Sequence, residues 1–74
     1  MKVLLIGLGS MGLNHLRILK LLIKKKDIFI FDNNKLNLKK YLSELGKTQS
    51  SNLEDLIKLA DKIIIATNTD SHFQ

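Results

Sequence analysis

The chain has 74 residues, and its 12 basic and 7 acidic side chains leave a formal charge of +5. It contains no cysteine, proline or tryptophan, which excludes a disulfide scaffold, thiolate zinc sites, iron–sulfur clusters and cysteine catalysis. The length allows one small domain or part of a larger one, but not a multi-domain enzyme within this chain.

The basic balance does not point to nucleic acid. Eleven of the twelve cations are lysine and Arg17 is the only arginine, whereas specific base readout leans on bidentate arginine. The densest run, Lys24-Lys25-Lys26, is followed at once by Asp27 and reads as a solvated loop.

In chain order, Lys2–Ile6 is expected to form a strand, its Val3–Ile6 run being apolar at every position as in a strand buried on both faces. Met1-Lys2 and the apolar residues to Leu8 superficially suggest a signal peptide, but the apolar run is short and no A-x-A cleavage site follows. Met11 to about Lys24 carries Leu13, Leu16, Leu19, Leu22 and Ile23 at helical spacing, with Arg17, Lys20 and Lys24 on the other side. This stretch is too short and too polar to span a bilayer, and the chain reads as cytoplasmic with no membrane partner.

Ile28–Phe31 is a second buried strand, ending at Asp32. Asn33-Asn34 supplies turn and capping chemistry for a helix containing Leu36, Leu38, Leu42 and Leu45, which stops at Gly46. Lys47–Ser50 is expected to form a short third strand. Ser51 or Asn52 can cap a helix over Leu53–Leu59, with Glu54 and Asp55 in its favoured first turn. Ile63–Ala66 is the last strand, and Asp70 or Ser71 can cap a further helix. The strand–helix–strand–helix–strand–helix–strand rhythm predicts an α/β fold, a partial Rossmann-like, doubly wound parallel sheet with right-handed crossovers.

Gly7-Leu8-Gly9-Ser10-Met11-Gly12 fits G-x-G-x-x-G. It follows a predicted strand and opens a predicted helix, and Asp32 ends the next strand twenty positions after Gly12, the separation expected of a ribose-binding acid. Gly7 permits the turn out of the strand, Gly9 lets backbone approach a pyrophosphate, and Gly12 lets the helix pack closely on the sheet. The N–H groups near Ser10 and Met11 would face the phosphates at the positive end of the helix. Asp32 can accept from both ribose hydroxyls and would repel a 2′-phosphate, which favours NAD over NADP. Lys35 softens that preference, so NADP stays open. Asn33, in the turn after Asp32, joins the candidate cofactor residues. A P-loop is excluded because no G-K-[ST] follows the glycines. The ADP half of FAD can use the same fingerprint.

Residues 7–17, Gly-Leu-Gly-Ser-Met-Gly-Leu-Asn-His-Leu-Arg, resemble the opening of the Gfo/Idh/MocA oxidoreductases, and Ile65-Ala66-Thr67-Asn68-Thr69-Asp70-Ser71-His72 is similar to that family's A-T-x-x-x-x-H segment. The resemblance spans nearly the whole chain. It implies the N-terminal nucleotide-binding part of an NAD(P)-dependent oxidoreductase acting on a sugar, cyclitol or related polyol. It further implies that Thr67 and Asn68 contact the cofactor beyond the pyrophosphate and that His72 lies near the nicotinamide ribose. Many members have proline after the threonine where this chain has Asn68.

The family's Glu-Lys-Pro segment with its catalytic lysine, and its C-terminal substrate domain, which forms most of the oligomer interface, are not within these 74 residues. The chain therefore reads as the N-terminal portion of a dinucleotide-binding domain. No residue in it is assigned a catalytic role, and full-length members are expected to be homo-oligomers. The alternative reading is a non-catalytic NAD(P)-binding or sensing module, or an inactive truncated product. His15 has no second histidine or carboxylate at metal-ligand spacing, and no metal site is expected. Asp70, Ser71 and His72 are sequence neighbours, which does not by itself give triad geometry.

Overall fold

The computed structural model describes residues 1–66. Strand β1 (Val3–Ile6) leads into helix α1 (Ser10–Leu22), and a 3₁₀ turn over Lys25–Asp27 precedes β2 (Ile28–Phe31). Helix α2 (Lys35–Leu45), helix α3 (Leu53–Leu59) and strand β3 (Lys62–Ile65) complete the fold. All strands are parallel, in the order β2-β1-β3. The register aligns Leu5 with Ile30 on one side and with Ile64 on the other.

Successive strand residues point to opposite faces, and both faces of β1 are covered. On one face α1 and α2 bury Leu16, Leu19 and Leu45 against Val3, Leu5, Ile28 and Ile30. On the other, Leu56 of α3 packs on Leu4 and Phe29. This two-sided burial is why β1 and β2 read as uninterrupted apolar runs rather than alternating ones.

The helix ends follow the chemistry of their capping residues. The Asn34 side chain accepts from Leu36 N–H at 3.0 Å and Asn37 N–H at 3.1 Å. Asn52, rather than Ser51, caps α3 by accepting from Glu54 N–H at 2.8 Å. Gly46 closes α2 in the left-handed region at φ 67°, where a Cβ is disfavoured.

The strand expected at Lys47–Ser50 does not form: the sheet has three strands among the described residues, not four. The segment instead serves the outer edge of β2 through side chains. The Gln49 carboxamide accepts from Ile30 N–H at 3.2 Å and donates to Ile30 O at 2.5 Å, reproducing the two bonds a neighbouring backbone would make. Lys47 Nζ donates to the carbonyls of Lys25, Lys26 and Ile28 and lies 3.9 Å from the centroid of the Phe29 ring. Burial pushes the Lys47 ammonium below the ordinary lysine value, an effect that the negative charge of Asp27 partly offsets. The run Lys24–Lys26, expected as solvated loop, is exposed, with Lys25 and Lys26 in the 3₁₀ turn.

The helix expected from Asp70 or Ser71 lies outside the described residues. Among those described, no helix is long and apolar enough to cross a membrane.

Candidate functional site

The site forms where the carboxyl ends of β1 and β2 meet the start of α1. Gly7 leaves β1 with φ 103°, a conformation that L side chains rarely adopt, while its N–H still donates to Phe31 O at 2.8 Å. The chain thus turns sharply without giving up the last bond of the sheet. Gly12, one turn into α1, lies against that turn, and a Cβ built on it would come within 1.8 Å of Gly7 O. Only glycine fits, and its absence of a side chain sets how closely the helix approaches the sheet.

Gly9 is the N-cap of α1 and offers no side-chain cap. A Cβ there would meet nothing within 4 Å, so this glycine is demanded neither by packing nor by a positive φ. The first bond of the helix runs from Leu13 N–H to Gly9 O at 2.8 Å. The N–H groups of Ser10, Met11 and Gly12 precede it and have no intrahelical acceptor, which gives this end a partial positive charge. Ser10 and Met11 are exposed.

Asp32 joins the two turns. One carboxylate oxygen accepts from Leu8 N–H at 2.8 Å, inside the glycine turn. The other accepts from Asn34 N–H at 2.8 Å, at the cap of α2. A carboxylate has about four lone-pair positions, so each oxygen retains capacity for another donor. Beside it opens a cleft of about 210 Å³ lined by Ile6, Gly7, Phe31, Asp32, Asn33 and Leu53. It has one carboxylate, one exposed amide and apolar walls from both strands and α3.

The fold therefore brings together Gly7, Gly9, Ser10, Met11, Gly12, Asp32 and Asn33. Thr67, Asn68 and His72 lie outside the described residues. Lys35, expected to act near Asp32, opens α2 and lines a different depression of about 280 Å³ with Leu38, Lys39 and Gln49. Among the described residues, no group of three histidine, aspartate or glutamate side chains is placed to hold a metal ion.

Two long-range contacts, one at the site and one at the opposite end of the sheet, escape a sequence reading. The bond from Leu8 to Asp32 spans 24 positions, and nothing in either residue's neighbourhood announces it. Asp61 likewise accepts from Lys2 N–H at 2.9 Å, tying the start of β3 to that of β1.

Comparison with protein-family models, with curated proteins and with solved structures gives no match for this chain.

Proposed function

We propose that the chain binds the ADP half of a dinucleotide, NAD in preference to NADP, as the N-terminal part of an oxidoreductase of the Gfo/Idh/MocA type acting on a sugar, cyclitol or related polyol. The observation that carries the reading is the meeting of an uncapped helix start with a carboxylate, one on each side of the glycine turn. A pyrophosphate suits the N–H groups of Ser10 and Met11. Gly9, which packing leaves free to be any small residue, has its side-chain position open where such a group would lie. The unused lone pairs of Asp32 suit the ribose hydroxyls, and Asn33 can add a contact from the rim.

The topology supports the same reading. The order β2-β1-β3, with residues 47–50 running beside β2, fits the start of a doubly wound sheet of order 3-2-1-4. On this reading the 47–50 segment would stand in for the third strand and β3 would be the fourth. The polyol substrate and the oxidoreductase class rest on the sequence resemblance. When bound, the nicotinamide ring supplies hydride transfer. The described residues supply binding and orientation: Gly7 and Gly12 shape the turn, Gly9 admits the phosphates and Asp32 selects the ribose. The same residues would serve a binding or sensing module without catalysis.

The test is a chemical-shift titration of the 74-residue chain with NAD, alongside Gly9→Ala. Saturable shifts at residues 7–12 and 32–33 are expected, weakened at least tenfold in Gly9→Ala at unchanged fold. A folded chain that shows no shifts at millimolar NAD overturns the proposal.

A further inference from the structure

The cleft beside Asp32 has one wall that does not belong to the strands. Ile6, Gly7, Phe31, Asp32 and Asn33 come from β1, β2 and the turns that follow them, whereas Leu53 is the first residue of α3. The width of the cleft is therefore set by how the start of α3 is held against the end of β2. Apolar packing supplies the attraction, with Leu53, Leu56 and Ala60 on Leu4 and Phe29. Such packing is non-directional, and a helix of seven residues can tilt on it with little loss of buried area. Direction has to come from hydrogen bonds.

Among the described residues, the hydrogen bonds that join residues 48–60 to the rest of the chain are the two between Gln49 and Ile30. The carboxamide accepts from Ile30 N–H and donates to Ile30 O, which fixes both the distance and the orientation of the crossover at that point. Ile30 directly precedes Phe31, the first β2 residue in the cleft wall. From Gln49 the chain reaches Leu53 through a turn with its own internal bonds. Ser50 Oγ accepts from Asn52 N–H at 3.1 Å and donates to Asp55 at 3.2 Å, and the Asn52 side chain accepts from Glu54 N–H at 2.8 Å. The position of Gln49 is thus passed on to the start of α3.

We propose that Gln49 is a positioning residue for the cofactor cleft: by gripping Ile30 it sets Leu53 at the separation from Phe31, Asp32 and Asn33 at which a nucleoside is held. The inference rests on the dinucleotide reading of the site. Gln49 does not itself line the cleft, so its effect on a ligand passes through the crossover. Without the grip, the start of α3 pivots about the fully buried Leu56, and the apolar wall that Leu53 supplies shifts relative to the Asp32 carboxylate. Lys47 provides the contrast within the same segment. It also bonds to β2, but at Ile28 and the 3₁₀ turn before it, the end of the strand away from the site. Lys47 therefore contributes to the fold without setting the cleft.

NAD titrations of the parent chain, Gln49→Leu, Gln49→Glu and Lys47→Met, followed by chemical shift where circular dichroism shows each chain folded, test this. Gln49→Leu is expected to weaken NAD about tenfold, the effect of a small misplacement of a binding wall. Gln49→Glu keeps the acceptor for Ile30 N–H and loses the donor to Ile30 O, so it should fall between Gln49→Leu and the parent, and it carries the comparison if Gln49→Leu does not fold. Lys47→Met should bind NAD as the parent does. Without ligand, the Leu53 methyl shifts should move in Gln49→Leu while those of Leu4 and Leu56 stay in place. A parent chain that shows no shifts with NAD overturns the dinucleotide reading and this inference with it. A parent chain that binds, with both Gln49 variants binding equally well or with Lys47→Met weakened as much as Gln49→Leu, overturns the positioning role alone.

Discussion

The Asp32 carboxylate holds the Leu8 backbone N–H at 2.8 Å, clamping the turn that follows β1 to the end of β2. The same group accepts from Asn34 N–H, so one side chain fixes both loops that line the candidate site. Asp32 thus has a structural role in the chain alone, in addition to the ribose contact proposed for it.

Asp32→Ala should destabilise the fold by about 2 kcal/mol, since two main-chain donors lose a charged acceptor. Asp32→Asn, with a single acceptor oxygen, should fall between. Urea denaturation measures both. In cofactor binding, Asp32→Ala should weaken NAD and relax discrimination against NADP. Unchanged affinity and selectivity by calorimetry would sink the ribose assignment.

The glycines of the turn should separate cleanly. Gly12→Ala drives a methyl into the Gly7 carbonyl and is expected to cost more than about 3 kcal/mol, beyond ordinary overpacking, because the obstacle is backbone. Gly9→Ala meets nothing within 4 Å and has an ordinary extended φ of −73°, so its stability should stay within about 0.5 kcal/mol of the parent chain. Thermal unfolding monitored by circular dichroism distinguishes the two. Equal losses would mean that the turn is not packed as described.

Gln49→Leu removes the only partners found for Ile30 N–H and C=O among the described residues. A loss of about 1–3 kcal/mol is expected. Hydrogen exchange should localise it, with the Ile30 amide losing protection before the β1 amides do. Uniform loss across the sheet would argue that Gln49 acts by packing alone.

Lys47 gives a pH dependence with a defined sign. Burial lowers its folded-state pKa below the unfolded value. Between the two, the unfolded chain holds more protons, so the Lys47 contribution to stability rises with pH across that interval and is constant below it. Denaturation midpoints measured through the alkaline range should show this component, and Lys47→Met should lack it. A slope unaltered by the substitution would place its origin elsewhere.

The sequence made much of the fold legible, and for local reasons. Val3–Ile6 and Ile28–Phe31 are buried on both faces and so carry no polar interruption. Leu16 and Leu19 mark the inner face of α1 by spacing alone. Asn34, Asn52 and Gly46 announce helix ends because capping depends on the side chain or φ of one residue. Lys47–Ser50 was misleading as a strand because its few residues carry no long apolar pattern. What settles its role is the reach of Lys47 and Gln49 to the edge of β2.

The candidate site divides in the same way. The glycine spacing and the acid after β2 are sequence properties, since a tight turn, a close helix–sheet approach and a carboxylate each demand particular residue types at particular separations. Only the tertiary structure decided that Asp32 clamps Leu8, that side chains rather than a fourth strand close the β2 edge, and that Ile63 and Ile65 are left exposed. These are relations between segments distant in the chain, set by which surfaces pack together, and a linear pattern of residues does not carry that information.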